Sequence, residues 1–388
     1  MRRFDAVVNL KTKFISLFLA VSIFQLSSMY LADAATKTGS TCSKVGSTKT
    51  IAGDKYLCVK NGKKITWQKT ISSKGSTNLV HPIRIAAYES ARAYKCATTH
   101  SRFKFTKEIG PNFPVQTAEK VNKVLENNFK CFNDFFDSEV NLKIFYFTQS
   151  DSDFVRTRVA TSINSGDVNH LNSLMKDMEG SKWGAKGMVG GFVNWSNDRS
   201  YLYFIIHSTD GYQWQEKDDH LVTHEFAHVM QDVSRANLRN EDEGSWYRQI
   251  PGYFMEGGAE ALGYIFEAKS ASLLNSQMQE IENYMSKDPT SIRFRNVSSE
   301  SEMLIRMRET ISPTEPGAYN IQYPLGGLIS EYIMGKYGFT KYLQLIKNSG
   351  KYKEFSDNLI ATVGVDQGRL LEDAVPYVYS QWKIALNL

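Results

Sequence analysis

Three of the chain's seven histidines stand four residues apart in HLVTHEFAHVMQ, His220 to Gln231, with a glutamate directly after the middle one. Residues four apart on an α-helix share a face, so His224 and His228 can offer two imidazoles to one metal ion. Glu225 is turned about 100° from His224, close enough to hold a water beside the ion without ligating it. These residue types in this order suit zinc-assisted hydrolysis, with two neutral ligands, a carboxylate base and space for water. His220 extends the row by one turn. Three histidines along a straight helix cannot converge tetrahedrally on one ion, so a helix-start or supporting role is expected for His220.

A catalytic zinc needs a third protein ligand and an open coordination position. The metzincin continuation requires a glycine and a histidine where this chain has Gln231 and Ser234, so that branch is excluded. The third ligand must come from elsewhere, and SWYRQIPGYFMEGGAEALGYIFEAK, residues 245–269, offers it. Glu256 and Glu260 are four apart, on one face of the helix this segment should form. Gly257, Gly258, Ala259 and Ala261 remove bulk and are expected to let that helix approach the first closely. Each glycine costs about 1 kcal/mol against alanine inside a helix, which points to a packing or site requirement.

H-E-F-A-H followed by F-M-E-G-G-A-E resembles the gluzincin zinc metallopeptidases, in the collagenase-like and thermolysin-like branch. Matched position by position, the resemblance implies His224, His228 and Glu256 as zinc ligands and Glu225 as general base. It implies Glu260 as a carboxylate supporting a ligand from behind. The two motifs span about 45 residues, and the order of the surrounding elements agrees from about residue 80 onward. The implied architecture is a zincin-like α+β fold, with an N-terminal mixed-sheet subdomain, an active-site helix and a helical C-terminal subdomain. A donor for the developing oxyanion is also expected. Tyr323, in YNIQYPLGGLISEYIMGKYG, is the candidate, with Tyr319 close behind. The substrate class is a peptide or protein. In such folds the strand before the active helix pairs with substrate, so GGFVNWSN and YLYFIIHS are candidate edges. YLYFIIHS is apolar on both faces, which favours a sheet interior.

Periodicity agrees with an α+β first half and a helical second half. RIAAYESARAYKCATTHSRF and TAEKVNKVLENNFKCFNDFF read as helices, the second opened by Thr117. VNLKIFYFTQSD and SYLYFIIHS read as strands, and GAKGMVGGFVNWSNDR as a Gly-rich stretch between them. Asp218 or Asp219 is the expected cap of the histidine helix.

The chain opens with a basic start, the apolar run FISLFLAVSIFQLSSMYLA and an Ala-Asp-Ala exit at residues 32–34, the layout of a cleaved signal peptide over 1–34. A retained anchor helix over 14–32 is the rival reading. No later run is long and apolar enough to span a membrane, and a secreted or cell-surface location follows. Four cysteines suit an oxidising compartment and allow three connectivities that sequence alone does not choose between; the neighbouring pairs Cys42–Cys58 and Cys96–Cys131 are preferred because each closes a short loop.

Residues 35–70 form a small basic β module, TCSKVGSTKTIAGDKYLCVKNGKKITWQK, with a hairpin signal at NGKK. It resembles a Cys/Lys/Trp module of exported actinobacterial proteins. A linker over 71–80 leads to a metallopeptidase domain at 81–388. Residues 35–74 hold nine Lys against Asp54, while 75–388 carry a net −5 of the chain's +5. The lysines suit an anionic cell-wall polymer or surface. Nucleic acid is not an expected partner, since the module lacks a recognition motif and offers few aromatics. Two other classes remain open: a non-catalytic cell-surface binding protein on a zincin scaffold, and a zinc amidase acting on cell-wall crosslinks.

Overall fold

The computed structural model describes residues 41, 48–51, 54–61, 64–70, 80–179, 189–236, 245–270, 273–287, 289–314 and 316–388. The leader at 1–34, Cys42 and most of the 71–80 linker lie outside these residues. The chain divides into two compact units, Met1–Thr77 and Asn78–Leu388.

In the first unit β1 (Thr48–Ile51), β2 (Asp54–Asn61) and β3 (Lys64–Thr70) form an antiparallel sheet in sequence order. β2 and β3 pair as neighbours out to Asn61–Lys64, the ends of the NGKK stretch.

The second unit is α+β. It begins with α1 (Pro82–Arg92), β4 (Phe103–Ile109), α2 (Val115–Cys131), β5 (Val140–Thr148), the short α3 (Ser152–Phe154), α4 (Ser165–Glu179), β6 (Val189–Trp195) and β7 (Leu202–Ser208). Helices follow to the end: α5 (Asp219–Ser234), α6 (Ser245–Gln249), α7 (Gly252–Glu267), α8 (Leu273–Lys287), α9 (Ile292–Arg295) and α10 (Glu300–Glu309). The last four are α11 (Pro316–Tyr337), α12 (Phe339–Lys347), α13 (Phe355–Val363) and α14 (Gln367–Ala385). No helix among the described residues is long and apolar enough to cross a membrane.

The sheet is mixed, in the order β4-β5-β7-β6, with β4, β5 and β7 parallel and β6 antiparallel at the edge. Every residue of β7 is buried, because its alternate side chains feed two separate cores. Leu202, Phe204 and Ile206 join the main core beneath α5, whereas Tyr203 and Ile205 pack on the other side with Phe145, Phe147, Leu171 and Met175. That two-sided burial explains the continuous apolar run, and among the described residues β6, not β7, lies at an edge of the sheet.

Three expectations need correction. The helix read over 84–103 stops at Arg92, and its last residue instead starts β4, whose FKFTKEI alternates apolar and polar as a half-buried strand does. α2 begins at Val115 behind Pro114, and Thr117 lies buried within it rather than opening it. Asp218 does stand at the N-cap position of α5, but neither aspartate makes a side-chain capping bond. Asp218 turns back to accept the Gln215 backbone N–H at 2.7 Å, and Asp219 accepts the Trp214 indole N–H at 2.8 Å. Of the expected disulfides, Cys96–Cys131 is formed and ties the segment after α1 to the end of α2.

The glycines of α7 divide their work in a way the sequence did not reveal. A Cβ at Gly257 would lie 2.2 Å from the Gly326 backbone, so Gly257 serves the crossing with α11, not with α5. The close approach to α5 belongs to Gly263, whose added Cβ would lie 2.5 Å from the His220 carbonyl oxygen. Gly257→Ala should therefore destabilise the domain by about 1–3 kcal/mol despite alanine's better helix propensity, because two backbones must part. A lower urea midpoint at unchanged m-value would register it.

α5 is anchored by the central residue of its motif. Phe226 is fully buried, with its ring centroid 5.7 Å from each of Phe103, Phe129 and Phe132. Such aromatic contacts hold the helix against α2 and the sheet, which leaves the opposite face free to present histidines.

Candidate metal centre

His224 and His228 project from one face of α5, and Glu256 reaches them from α7. His224 Nε2 and His228 Nε2 are 3.2 Å apart, and Glu256 Oε2 lies 3.3 Å from His228 Nε2 and 3.7 Å from His224 Nε2. Among the described residues this is the group of His, Cys, Asp and Glu atoms able to hold a metal ion. A tetrahedral zinc with bonds of about 2.0–2.2 Å has ligand-to-ligand edges of about 3.3–3.6 Å, the scale of this triangle.

The hydrogen-bond pattern behind the ligands settles which nitrogen faces the centre. Gln231 donates from Nε2 to the Met255 carbonyl at 2.9 Å, so its Oε1 accepts from His228 Nδ1 at 2.9 Å. Glu260 Oε2 lies 2.9 Å from His224 Nδ1 and can only accept there. Both Nδ1 atoms thus carry hydrogen, which leaves the two Nε2 atoms facing the Glu256 carboxylate. With both rings neutral these are three acceptors, which repel one another unless a proton or a metal ion lies between them. The donor set fits zinc, a borderline ion that takes imidazole and carboxylate together.

The electrostatics make the same demand. Burial favours neutral imidazoles, yet hydrogen bonds and charge from Glu256 and Glu260 outweigh it and raise His224 well above its ordinary value. His228 is likewise raised, burial being overcome chiefly by Glu256. Glu256 is held far below the usual carboxylate range, because the two histidines outweigh its burial. The cluster calls for positive charge, and a metal ion supplies it while displacing protons.

Glu225 is 5% exposed and lies on the cleft side of α5. Burial raises its pKa, and the two histidines partly offset that rise. Gly191 of β6 makes its room: a Cβ there would lie 2.8 Å from Glu225 Cγ. Tyr323 stacks on His224, with centroids 6.0 Å apart and planes 8° from parallel, and Tyr284 of α8 stacks on Tyr323 in turn at 5.6 Å. Burial first, then Glu256, raises the Tyr323 hydroxyl well above its ordinary value, so it keeps its proton at neutral pH. Tyr319 meets Tyr323 edge-on at 6.5 Å from the cleft rim, where it is 47% exposed. His220 stays outside the ligand triangle: its Nδ1 meets the Lys217 carbonyl at 2.5 Å and its ring stacks on Tyr264 at 4.3 Å.

The chain matches no known protein family, no curated protein and no solved structure. Its site must be read from its own atoms.

The structure brings His224, Glu225, His228, Glu256, Glu260 and Tyr323 around one cleft of about 650 Å³, which β6 borders on the opposite side. Sequence reasoning missed Gln231, Tyr284 and Gly191. Gln231 is three residues after His228 and so on its face, a spacing signal that was present. Tyr284 and Gly191 reach the site only through tertiary packing. Removing the support behind either histidine, by Gln231→Leu or Glu260→Gln, should weaken metal binding at this cluster about 10–100-fold. Competition with a chromophoric chelator would measure it.

Proposed function

We propose that this chain is a zinc-dependent metallopeptidase of zincin-like architecture, exported and acting on peptide or protein substrates. One observation carries the reading: two imidazole nitrogens and a carboxylate oxygen meet within 3.7 Å of one another, with Glu225 beside them on the open side. His224, His228 and Glu256 would hold the ion. Zinc bound there would act as a Lewis acid and lower the pKa of water at its open position to about 7.

The chain's own residues supply the rest. Glu225 accepts the proton of the attacking water on its carboxylate and returns it to the leaving amine nitrogen. The Tyr323 hydroxyl, kept protonated by burial, donates to the oxygen that becomes negative as the carbonyl carbon turns tetrahedral. Gln231 and Glu260 hold the imidazole orientations throughout. β6, antiparallel at the sheet edge among the described residues and bordering the cleft with Glu225, is the strand we assign to pairing with an extended chain. That edge favours a peptide over a compact cell-wall crosslink, and it favours catalysis over simple adhesion.

Zinc-loaded and chelated protein would be incubated with casein and with peptidoglycan, and the products identified by mass spectrometry. Zinc-dependent cleavage of casein is expected. Release of peptidoglycan fragments with casein untouched would favour the amidase reading, and bound zinc with both substrates intact would favour a binding protein.

A further inference from the structure

The outer face of β6, turned away from α5, carries chemistry that the hydrolytic reading leaves unused. Directly paired residues of antiparallel strands share a face, and Gly190 is paired with His207 of β7. On the same face Phe192 is paired with Ile205, which belongs to the outer core, and His170 of α4 meets the Phe192 ring edge-on at 5.4 Å. All four of Gly190, Phe192, His170 and His207 border the cleft that holds the metal centre. The cleft therefore wraps over both faces of the edge strand.

His207 leans across Gly190. A Cβ at position 190 would lie 2.7 Å from His207 Cε1 and 2.8 Å from Nε2, but 3.7 Å from Nδ1. The missing side chain leaves the Nε2 edge of the imidazole uncovered toward the cleft. His207 is only 5% exposed, and its Nδ1 is buried without a hydrogen-bond partner. Burial first, and His170 second, lower its pKa to about 4, so the ring is neutral. A buried N–H without an acceptor is rarer than a bare acceptor, which assigns the proton to Nε2. The result is a fixed donor set beneath a glycine window.

We infer that Gly190 and His207 form a side-chain subsite in which His207 Nε2–H donates to a carbonyl or carboxylate oxygen of a peptide lying along β6. The inference rests on the peptidase reading for the occupant of that edge. An added strand sends every second side chain to the outer face, and directly opposed Cβ atoms lie about 4.5–5.5 Å apart. Asp, Asn, Glu and Gln carry an oxygen at that reach. Leu and other apolar side chains would leave the donor buried and unpaired.

The test uses the full, zinc-loaded chain with isotope-labelled histidine imidazoles. Three series of blocked octapeptides carry Asn, Asp or Leu at every second position, each series made in both phases, so that one phase presents the tested residue outward whichever register binds. The His207 Nε2 resonance, assigned with His207→Leu, should shift saturably with the Asn and Asp series but not with Leu. Gly190→Ala should abolish the shift by covering the ring, with thermal unfolding of both variants reporting that they fold. A response to Asp alone would narrow the ligand to a carboxylate. Equal shifts with the Leu series, or none with any series, would overturn the inference. Cleavage of the same peptides separates the two claims: wild type should prefer Asn or Asp over Leu by about 3–10-fold, the scale of one hydrogen bond. Equal cleavage of all three series keeps the peptidase and removes the subsite. A His207 response without any cleavage keeps the subsite and removes the peptidase.

Discussion

Glu225→Gln is expected to lower kcat on a cleaved peptide by about 10²–10⁴-fold, the usual scale for losing a general base. Zinc content should not change, because Glu225 points to the cleft and supplies none of the three converging atoms. Glutamine keeps the shape that Gly191 accommodates, so the helix and the facing strand need not shift. KM should move little, since the proton transfer belongs to the transition state and not to substrate binding. Steady-state kinetics with metal analysis on the same samples would check it. Unchanged kcat in a zinc-loaded Glu225→Gln protein would remove this residue from the chemistry.

The second large effect is on stability. Glu331→Ala should cost about 3–5 kcal/mol, because it strands a charge in the core. Arg84 of α1 is 1% exposed and pairs with the fully buried Glu331 of α11, which also accepts the Tyr377 hydroxyl of α14. Arg84 further donates to Glu331 Oε2 at 2.7 Å and to Gln277 Oε1 of α8 at 2.6 Å. Burial works against its charge, but Glu331 and Tyr377 outweigh that and raise its pKa. Four helices thus share one buried network. Removing both charges together, as Arg84→Met with Glu331→Leu, should recover most of the loss, since neither ion is then left alone. Urea unfolding of the two single variants and the double variant would measure the coupling.

Much of the site was legible because helical spacing is a one-dimensional code. The four-residue interval in His224/His228 and again in Glu256/Glu260 predicts a shared face without any knowledge of the fold. The apolar run of β7 likewise announced a strand buried on both sides. What failed was whatever depended on a neighbour's identity. Nothing in GGAE says that Gly257 touches Gly326 while Gly263, five residues past Gly258, meets α5. Asp218 and Asp219 are good caps by type, but Gln215 and Trp214 claim their oxygens first. β4 was missed because its alternation is short, and the helical reading before it overran only onto Phe103, its first residue. The ring stack of His224, Tyr323 and Tyr284 joins three helices, and no local pattern encodes it.

The most direct measurement is zinc stoichiometry, read by plasma mass spectrometry after the full chain is equilibrated with zinc and dialysed. The triangle of His224, His228 and Glu256 predicts about one tightly held zinc per chain, lost on His228→Ala and on Glu256→Ala. No retained zinc in the native chain, or a zinc that survives both substitutions, would contradict it.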